Sequence, residues 1–232
     1  MDVLELRPGL WRWTALHPDL TADEEAATGL TREVGCLYYE APAEIVLVDP
    51  LAPPPDTRES ERFWSALDRD VERIGRPVAV VLTVDWHRRS TDVFLERYGG
   101  RLASLGTLPR GMEAFPVASF DELLLWLSGP KALVAGDTLL GTPAGIRRCP
   151  ASWLAEGGEQ AYLDSLQPVL DLPIELVLPA HGEPVLENGR DALAAALSAR
   201  PWGEEISASN CGRRGRPRAS PPGARRSHLA DP

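Results

Sequence analysis

The chain has 232 residues, 44% of them hydrophobic and 25% charged, which is enough for one domain with a sizeable core and too few for two full domains. Its net charge of −10 disfavours a long contact with nucleic acid or an anionic membrane. Three widely spaced cysteines, a charged N-terminus and the lack of a long apolar run predict a cytoplasmic protein with neither disulfides nor a membrane span.

The C-terminal segment, residues 206–232, differs from the rest in composition. It holds six arginines and one acid, whereas the preceding 205 residues hold 18 basic and 33 acidic residues, a net charge of −15. Rich in Arg, Pro and Gly and without apolar periodicity, it cannot bury enough surface to offset the entropy of ordering. We therefore predict one domain over residues 1–205 followed by a disordered tail. The functional alternative is that the tail is an arginine-rich arm that binds nucleic acid.

The first half of the chain predicts strands followed by a helix. Aromatic and β-branched residues indicate strands at Leu10–Thr14, Gly35–Glu40 and Ile45–Asp49. After a proline-rich turn, Thr57 is a candidate helix cap, and apolar residues recur at helical spacing until Gly75. The continuous apolar run Val78–Thr83 then predicts a strand covered on both faces.

The second half alternates helices and strands. The predicted elements are a helix at Asp92–Tyr98, strands at Leu123–Leu127 and Ala132–Ala135, a helix within Trp153–Leu170, a strand at Ile174–Leu178 and a helix at Asp191–Ala199. This order favours an α/β fold with sheets covered by helices.

Three polar residues with metal-binding atoms follow predicted strands: His87, Asp137 and His181. Loops at strand ends of open α/β sheets converge on one crevice, which makes these residues the candidate site. The other two histidines are less suited, since His17 lies in a polar turn that we expect to be exposed and His228 lies in the tail.

These segments resemble the metallo-β-lactamase superfamily in the order of their elements over most of residues 1–200. The resemblance rests on the V-D-P turn at Val48–Pro50, the helix before the strand Val78–Thr83, the G-D pair at Gly136–Asp137 and the H-G pair at His181–Gly182. It implies a four-layer αβ/βα sandwich.

The resemblance also implies that most of the family's dinuclear metal site is lost. When the family's motif T-H-x-H-x-D-H is placed on Thr83, its four ligand positions fall on Val84, Trp86, Arg88 and Arg89. The family's next histidine falls within Val117–Ala118. Of the usual seven positions, Asp137 and His181 remain.

The loop after Val78–Thr83 contributes the crevice candidates Asp85, Trp86, His87, Arg88 and Arg89. In an extended segment Asp85 and His87 would point to the same side and join Asp137 and His181 around one metal ion. The alternative without metal has hydrogen-bonded histidines, an ion pair from Arg88 or Arg89 to Asp137 in place of the lost cation, and Trp86 filling the former pocket.

Three functions follow from these alternatives. The first is a hydrolase-like protein without a cofactor, non-catalytic, that binds a small molecule or a protein in the old crevice. The second is a mononuclear metallohydrolase with one zinc or other divalent ion at His87, Asp137 and His181, acting on an ester, thioester or amide through a metal-bound water. The third is a nucleic-acid-associated protein that uses the basic tail.

Overall fold

The computed structural model describes residues 1–28 and 30–203, so the predicted disordered tail at 206–232 lies outside the described residues. The strands are β1 Val3–Arg7, β2 Leu10–Leu16, β3 Glu33–Glu40, β4 Ile45–Val48, β5 Val78–Val81, β6 Arg101–Leu102, β7 Met112–Pro116, β8 Leu123–Leu127, β9 Ala132–Ala135, β10 Leu139–Thr142, β11 Gly145–Arg148 and β12 Leu176–Pro179. The helices are α1 Ala22–Thr28, α2 Arg58–Ile74, α3 Thr91–Tyr98, α4 Glu159–Leu166 and α5 Gly189–Ser198. Short 3-10 turns lie at Asp85–Arg88, Leu105–Thr107, Ala151–Trp153 and Gln167–Asp171.

The strands form two main sheets and a hairpin. The first sheet has the order β1-β2-β3-β4-β5-β6, antiparallel up to β4 and parallel from β4 to β6. The second has the order β12-β9-β8-β7, in which β12 and β9 are parallel. Strands β10 and β11 pair with each other.

Alternating side chains divide the core into layers, because successive residues of a strand face opposite sides. Leu37 and Val46 of the first sheet pack with Leu125 and Val134 of the second between the two sheets. The opposite face of the first sheet packs against α2 and α3. The opposite face of the second sheet packs against α4 and α5. The predicted four-layer αβ/βα sandwich is therefore confirmed.

Several elements have the bounds that the local sequence pattern predicts. Leu123–Leu127 and Ala132–Ala135 are strands with the predicted bounds. Helix α2 begins after Thr57, whose side chain accepts the Ser60 amide, and ends at Gly75 in the left-handed conformation.

Other elements were missed or divided differently. No prediction from the sequence covers α1, the edge strands β1, β6 and β7, or the hairpin β10–β11. The predicted helix within Trp153–Leu170 is α4 with a 3-10 turn on either side, since Pro168 lies at the start of the second turn and cannot continue an α-helix. None of the helices in 1–28 and 30–203 is long and apolar enough to cross a membrane.

The two sheets meet at one edge where four strands end. Asp49 follows β4, the His87 loop follows β5, Asp137 follows β9, and His181 follows β12. Bonds between the sheets hold this edge together: the Gly35 amide donates to the Ala180 carbonyl at 2.7 Å. The fold thus brings segments that are far apart in sequence to one place.

Candidate metal centre

Three buried side chains, His87, Asp137 and His181, converge at this edge. The distance from Asp137 Oδ1 is 3.4 Å to His87 Nε2 and 3.6 Å to His181 Nε2. One ligand atom from each residue lies within 4.8 Å of the other two. Two ligands bound to one zinc ion at about 2 Å and a tetrahedral angle are about 3.4 Å apart, so this spacing suits a single ion.

Asp49 orients His87. The His87 Nδ1–H donates to Asp49 Oδ2 at 2.9 Å, and the same carboxylate accepts the amide of Thr83 at 2.8 Å and its hydroxyl at 2.5 Å. With the proton on Nδ1, the Nε2 atom faces Asp137. A carboxylate behind an imidazole is a recurrent arrangement at metal sites, where it fixes the ring and raises its basicity.

His181 is oriented by a backbone carbonyl. Its Nδ1 lies 3.1 Å from the carbonyl oxygen of Thr31 and must donate, because a carbonyl only accepts. The residue also forms an isolated β-bridge with Val34. The Nε2 lone pair is therefore free to face Asp137.

Gly182 and Gly141 allow the backbone that carries His181 to approach the hairpin. A Cβ at Gly182, where φ is +84°, would lie 2.0 Å from the Gly141 carbonyl oxygen. A Cβ at Gly141 would lie 2.1 Å from the Glu183 carbonyl oxygen. Any side chain at either position would push these segments apart.

Two neighbours hold Asp137 in place, and neither was predicted for this role from the sequence. Trp86 Nε1–H donates to Asp137 Oδ2 at 2.8 Å. The buried carboxylate of Glu122 accepts the amides of Gly136, Asp137 and Thr138, which fixes the turn after β9. Asp137 Oδ1 is buried and has no hydrogen-bond partner among the described residues.

The charges of His87, Asp137 and His181 shift one another's pKa values. Burial lowers the pKa of His87, but Asp137 and Asp49 outweigh it and raise the value to about 9. Burial raises the pKa of Asp137, but His87 and His181 outweigh it and hold the value well below its usual range. Burial lowers the pKa of His181, and Arg89 adds to that effect. Without a metal, the protonated His87 lies between the carboxylates of Asp49 and Asp137 and offsets one of their two negative charges.

Trp86 lines the cavity, but Asp85 does not, contrary to the expectation that Asp85 and His87 face the crevice together. The segment Asp85–Arg88 is a 3-10 turn, so residues two apart do not point to the same side, and Asp85 is exposed. Trp86 fills space beside the three candidate ligands, as the apolar-plug hypothesis has it, but it also donates its indole N–H to Asp137.

The expected ion pair from an arginine to Asp137 is wrong. Arg88 points outward and pairs with Asp92 at 2.7 Å on the surface of the helix that follows. The buried guanidinium nitrogens of Arg89 have no hydrogen-bond partner among the described residues. The imidazole of His87 occupies the place beside Asp137 that the hypothesis gave to a guanidinium.

His17 lies beside the three residues, although the polar turn around it had suggested an exposed side chain. It is half-buried, and its ring centroid lies 6.4 Å from that of His181. The residues that line the shared cavity are His17, Leu20, Leu30, Trp86, His87, Asp137, Trp153 and His181. The cavity measures about 10 Å³, close to the room that one water molecule needs.

One of the missed residues carried a usable signal. Asp49, like Asp137, is a carboxylate directly after an apolar strand, so the same rule would have placed it at the site. Glu122 is an acid before an apolar strand, which is common and unspecific. The Thr31 carbonyl and the His17 ring carry no local signal.

Comparison with one solved structure at a TM-score above 0.5 supports the same architecture. A metallo-β-lactamase from Hirschia baltica aligns with a TM-score of 0.52 at 14% identity, covering 85% of this chain and 96% of that one. A metallo-β-lactamase from Pontibacter korlensis aligns with a TM-score of 0.48 at 14% identity, covering 86% and 99%. No protein-family model and no curated protein sequence matches the chain. At this identity the likeness concerns the fold, which is that of the metallo-β-lactamases.

Proposed function

We propose that this chain, which has the metallo-β-lactamase fold, is a mononuclear metal-dependent hydrolase that binds its ion through His87, Asp137 and His181. The observation that carries the proposal is the convergence of three buried ligand atoms: Asp137 Oδ1 lies 3.4 Å from His87 Nε2 and 3.6 Å from His181 Nε2, a spacing that suits one ion. A divalent cation at their centre would take the place of the His87 proton beside the buried carboxylate.

The donor set of two imidazoles and one carboxylate suits a catalytic zinc ion. Two imidazoles and one carboxylate are borderline and hard ligands, and three protein ligands leave a position open, as in catalytic zinc sites. Both imidazoles have their Nδ1 atoms engaged by Asp49 and Thr31, so Nε2 is the atom that each would present to an ion, after His87 has released its second proton. The ligands would therefore need little rearrangement on binding.

Held by His87, Asp137 and His181, a zinc ion would supply Lewis acidity, which lowers the pKa of a water and polarises a carbonyl group. The chain's own groups perform the remaining tasks. Asp49 keeps the His87 ring in place, and Trp86 holds Asp137 by its second oxygen. Leu20, Leu30 and Trp153 line the cavity and exclude bulk water. This arrangement suits hydrolysis of an ester, thioester or amide.

The size of the cavity favours a second candidate, a metal-binding protein without turnover. A volume of about 10 Å³ admits a water, and an organic substrate would enter only if side chains that line the cavity moved. A cavity this small agrees with the non-catalytic function that the loss of most motif ligands implies.

Metal analysis with matched variants tests the proposal. Chelator-treated wild type is expected to take up one equivalent of zinc in a calorimetric titration, whereas Asp137→Asn and His181→Phe should lose stoichiometric binding. Asp85→Asn is the control, because this carboxylate belongs to the same loop but is exposed. If both ligand variants bind as much zinc as the wild type, the proposed metal site is wrong.

Turnover separates the two candidates. The zinc-loaded wild type and the control are assayed on small chromogenic acetate esters, thioesters and anilides. Metal-dependent hydrolysis that is absent from Asp137→Asn supports the hydrolase. If zinc binds at one equivalent and no ester, thioester or anilide is hydrolysed, the result supports the second candidate, a metal-binding protein without turnover.

A further inference from the structure

His17 is the remaining titratable side chain of the cavity, and the metal ligand set does not use it. The residue follows β2, where its amide donates to the Arg32 carbonyl at 2.7 Å. Its ring lines the cavity together with His87, Asp137 and His181. It is not part of the group of three that could share an ion.

Local hydrogen bonds fix the tautomer of His17. Its Nδ1 accepts the backbone amide of Asp19 at 3.1 Å and that of Leu20 at 3.0 Å. Backbone amides only donate, so Nδ1 must be unprotonated and the neutral ring carries its proton on Nε2. Among the described residues, no hydrogen bond involves Nε2.

The same bonds exclude His17 as a metal ligand and make it a donor. A nitrogen that carries a proton has no lone pair for a metal, and Nδ1 is already engaged by two amides. With Nδ1 accepting two backbone amides, the ring carries a single proton and is neutral. What His17 offers beside the metal ligands is one neutral N–H.

We propose that His17 donates its Nε2–H to the carbonyl oxygen of the substrate, and to the negative charge that develops on that oxygen when water attacks. The inference rests on the proposed hydrolase function and assigns it a catalytic residue. Donors oriented in advance toward a developing oxyanion are among the largest contributions to acyl-transfer catalysis. The fixed amides of Asp19 and Leu20 supply that orientation, since they prevent the ring from changing its tautomer.

Two substitutions isolate the donor. His17→Phe and His17→Gln both remove the Nδ1 acceptor of the two amides, so both share any structural penalty. Only glutamine keeps an N–H at the ε position. We expect the phenylalanine variant to lose about 10²-fold to 10³-fold in kcat, with zinc affinity unchanged and with a smaller loss in the glutamine variant. Equal kcat in wild type and His17→Phe, or equal losses in the two variants, would overturn the assignment.

Nitrogen-15 NMR of labelled histidine provides a readout that does not depend on turnover. In chelator-treated and zinc-loaded protein alike, the spectrum is expected to show His17 with unprotonated Nδ1 and protonated Nε2. Adding methylphosphonate, a tetrahedral oxyanion, to the zinc-loaded protein should shift the Nε2–H resonance. A proton on Nδ1, or a resonance that methylphosphonate leaves in place, would refute the proposal.

The two proposals fail in different ways. If zinc binds and an ester, thioester or amide is hydrolysed while His17→Phe keeps the wild-type kcat, the role of His17 is wrong and the hydrolase function stands. If no substrate is hydrolysed, the function fails, and the tautomer and the methylphosphonate titration still decide whether His17 is a donor to an oxyanion.

Discussion

At the residue scale, the geometry of the site depends on two carboxylates that flank the imidazole of His87. His87 lies between Asp49 on its Nδ1 side and Asp137 on its Nε2 side, and all three are buried. The position of His87 in sequence does not match any histidine of the metallo-β-lactamase motif. The 3-10 turn Asp85–Arg88 places its ring beside Asp137, so a residue displaced from the motif reaches the candidate metal centre.

Replacing the carboxylate of Asp49 tests whether it orients the His87 ring. Asp49→Asn would place an amide where the His87 Nδ1–H now donates, and the ring would lose its orientation. We expect zinc affinity to fall about 10-fold to 100-fold in a calorimetric titration. Asp92→Asn, which removes an exposed carboxylate bound to Arg88, should leave the affinity unchanged. An unaltered affinity in Asp49→Asn would show that the contact does not support the ligand.

The raised pKa of His87 predicts a pH dependence of stability. The value of about 9 in the folded protein exceeds the unfolded value of about 6.5, so the protonated ring stabilises the chelator-treated fold. This contribution is fully present below about pH 6.5 and is lost as the pH rises through about 9. Urea unfolding of chelator-treated protein between about pH 6 and about pH 10 measures it, with His87→Gln as the comparison that lacks the titrating group.

A decline of equal size in His87→Gln would assign the pH dependence to other groups. The same proton links the site to metal binding, because zinc must displace it from Nε2. At neutral pH, zinc binding by wild type should therefore release a proton, which calorimetry in buffers of different ionisation enthalpy detects.

At the element scale, the loop after β12 can place His181 because two backbones touch there. Gly182 lies against Gly141 of the hairpin β10–β11, and the Gly141 amide donates to the His181 carbonyl at 2.9 Å. The hairpin thus supports the ligand through the main chain. This explains why an H-G pair, rather than a lone histidine, ends the strand.

Gly182→Ala tests the close approach, with Gly157→Ala as its control. Both glycines have positive φ, +84° and +70°, so alanine is strained at both. Only at Gly182 would the new Cβ also meet backbone, since nothing lies within 4 Å at Gly157. We expect both variants to lower the melting temperature and only Gly182→Ala to weaken zinc binding as well. Equal zinc affinity in the two variants would argue against support from the hairpin.

At the scale of the whole molecule, the site exists because two sheets pack face to face with their strand ends at one edge. Each sheet supplies part of the centre: the first contributes Asp49 and His87, and the second contributes Asp137 and His181. The core between the sheets, which includes Val48 and Val134, fixes their relative position. Metal binding should therefore also tie the two sheets together.

The basic tail predicts a separable property. Removing residues 206–232 changes the formal charge from −10 to −15 and takes away six arginines. We expect the truncated chain to keep its melting temperature and zinc affinity. Any oligonucleotide binding by the full chain should weaken as salt rises and disappear with the tail. Fluorescence anisotropy at several salt concentrations checks this, and binding that survives truncation would place the contact on the domain.

The sequence by itself determined the apolar strands, the caps of α2 at Thr57 and Gly75, and three candidate ligands at strand ends. These features are local, since they follow from hydrophobic pattern and backbone preference over a few residues. Only the tertiary structure decided how the ligands are oriented. Asp49 reaches His87 from 38 residues away, and the Thr31 carbonyl reaches His181 from 150 residues away. Such contacts depend on sheet register and on the packing of one sheet against the other, which no local pattern encodes.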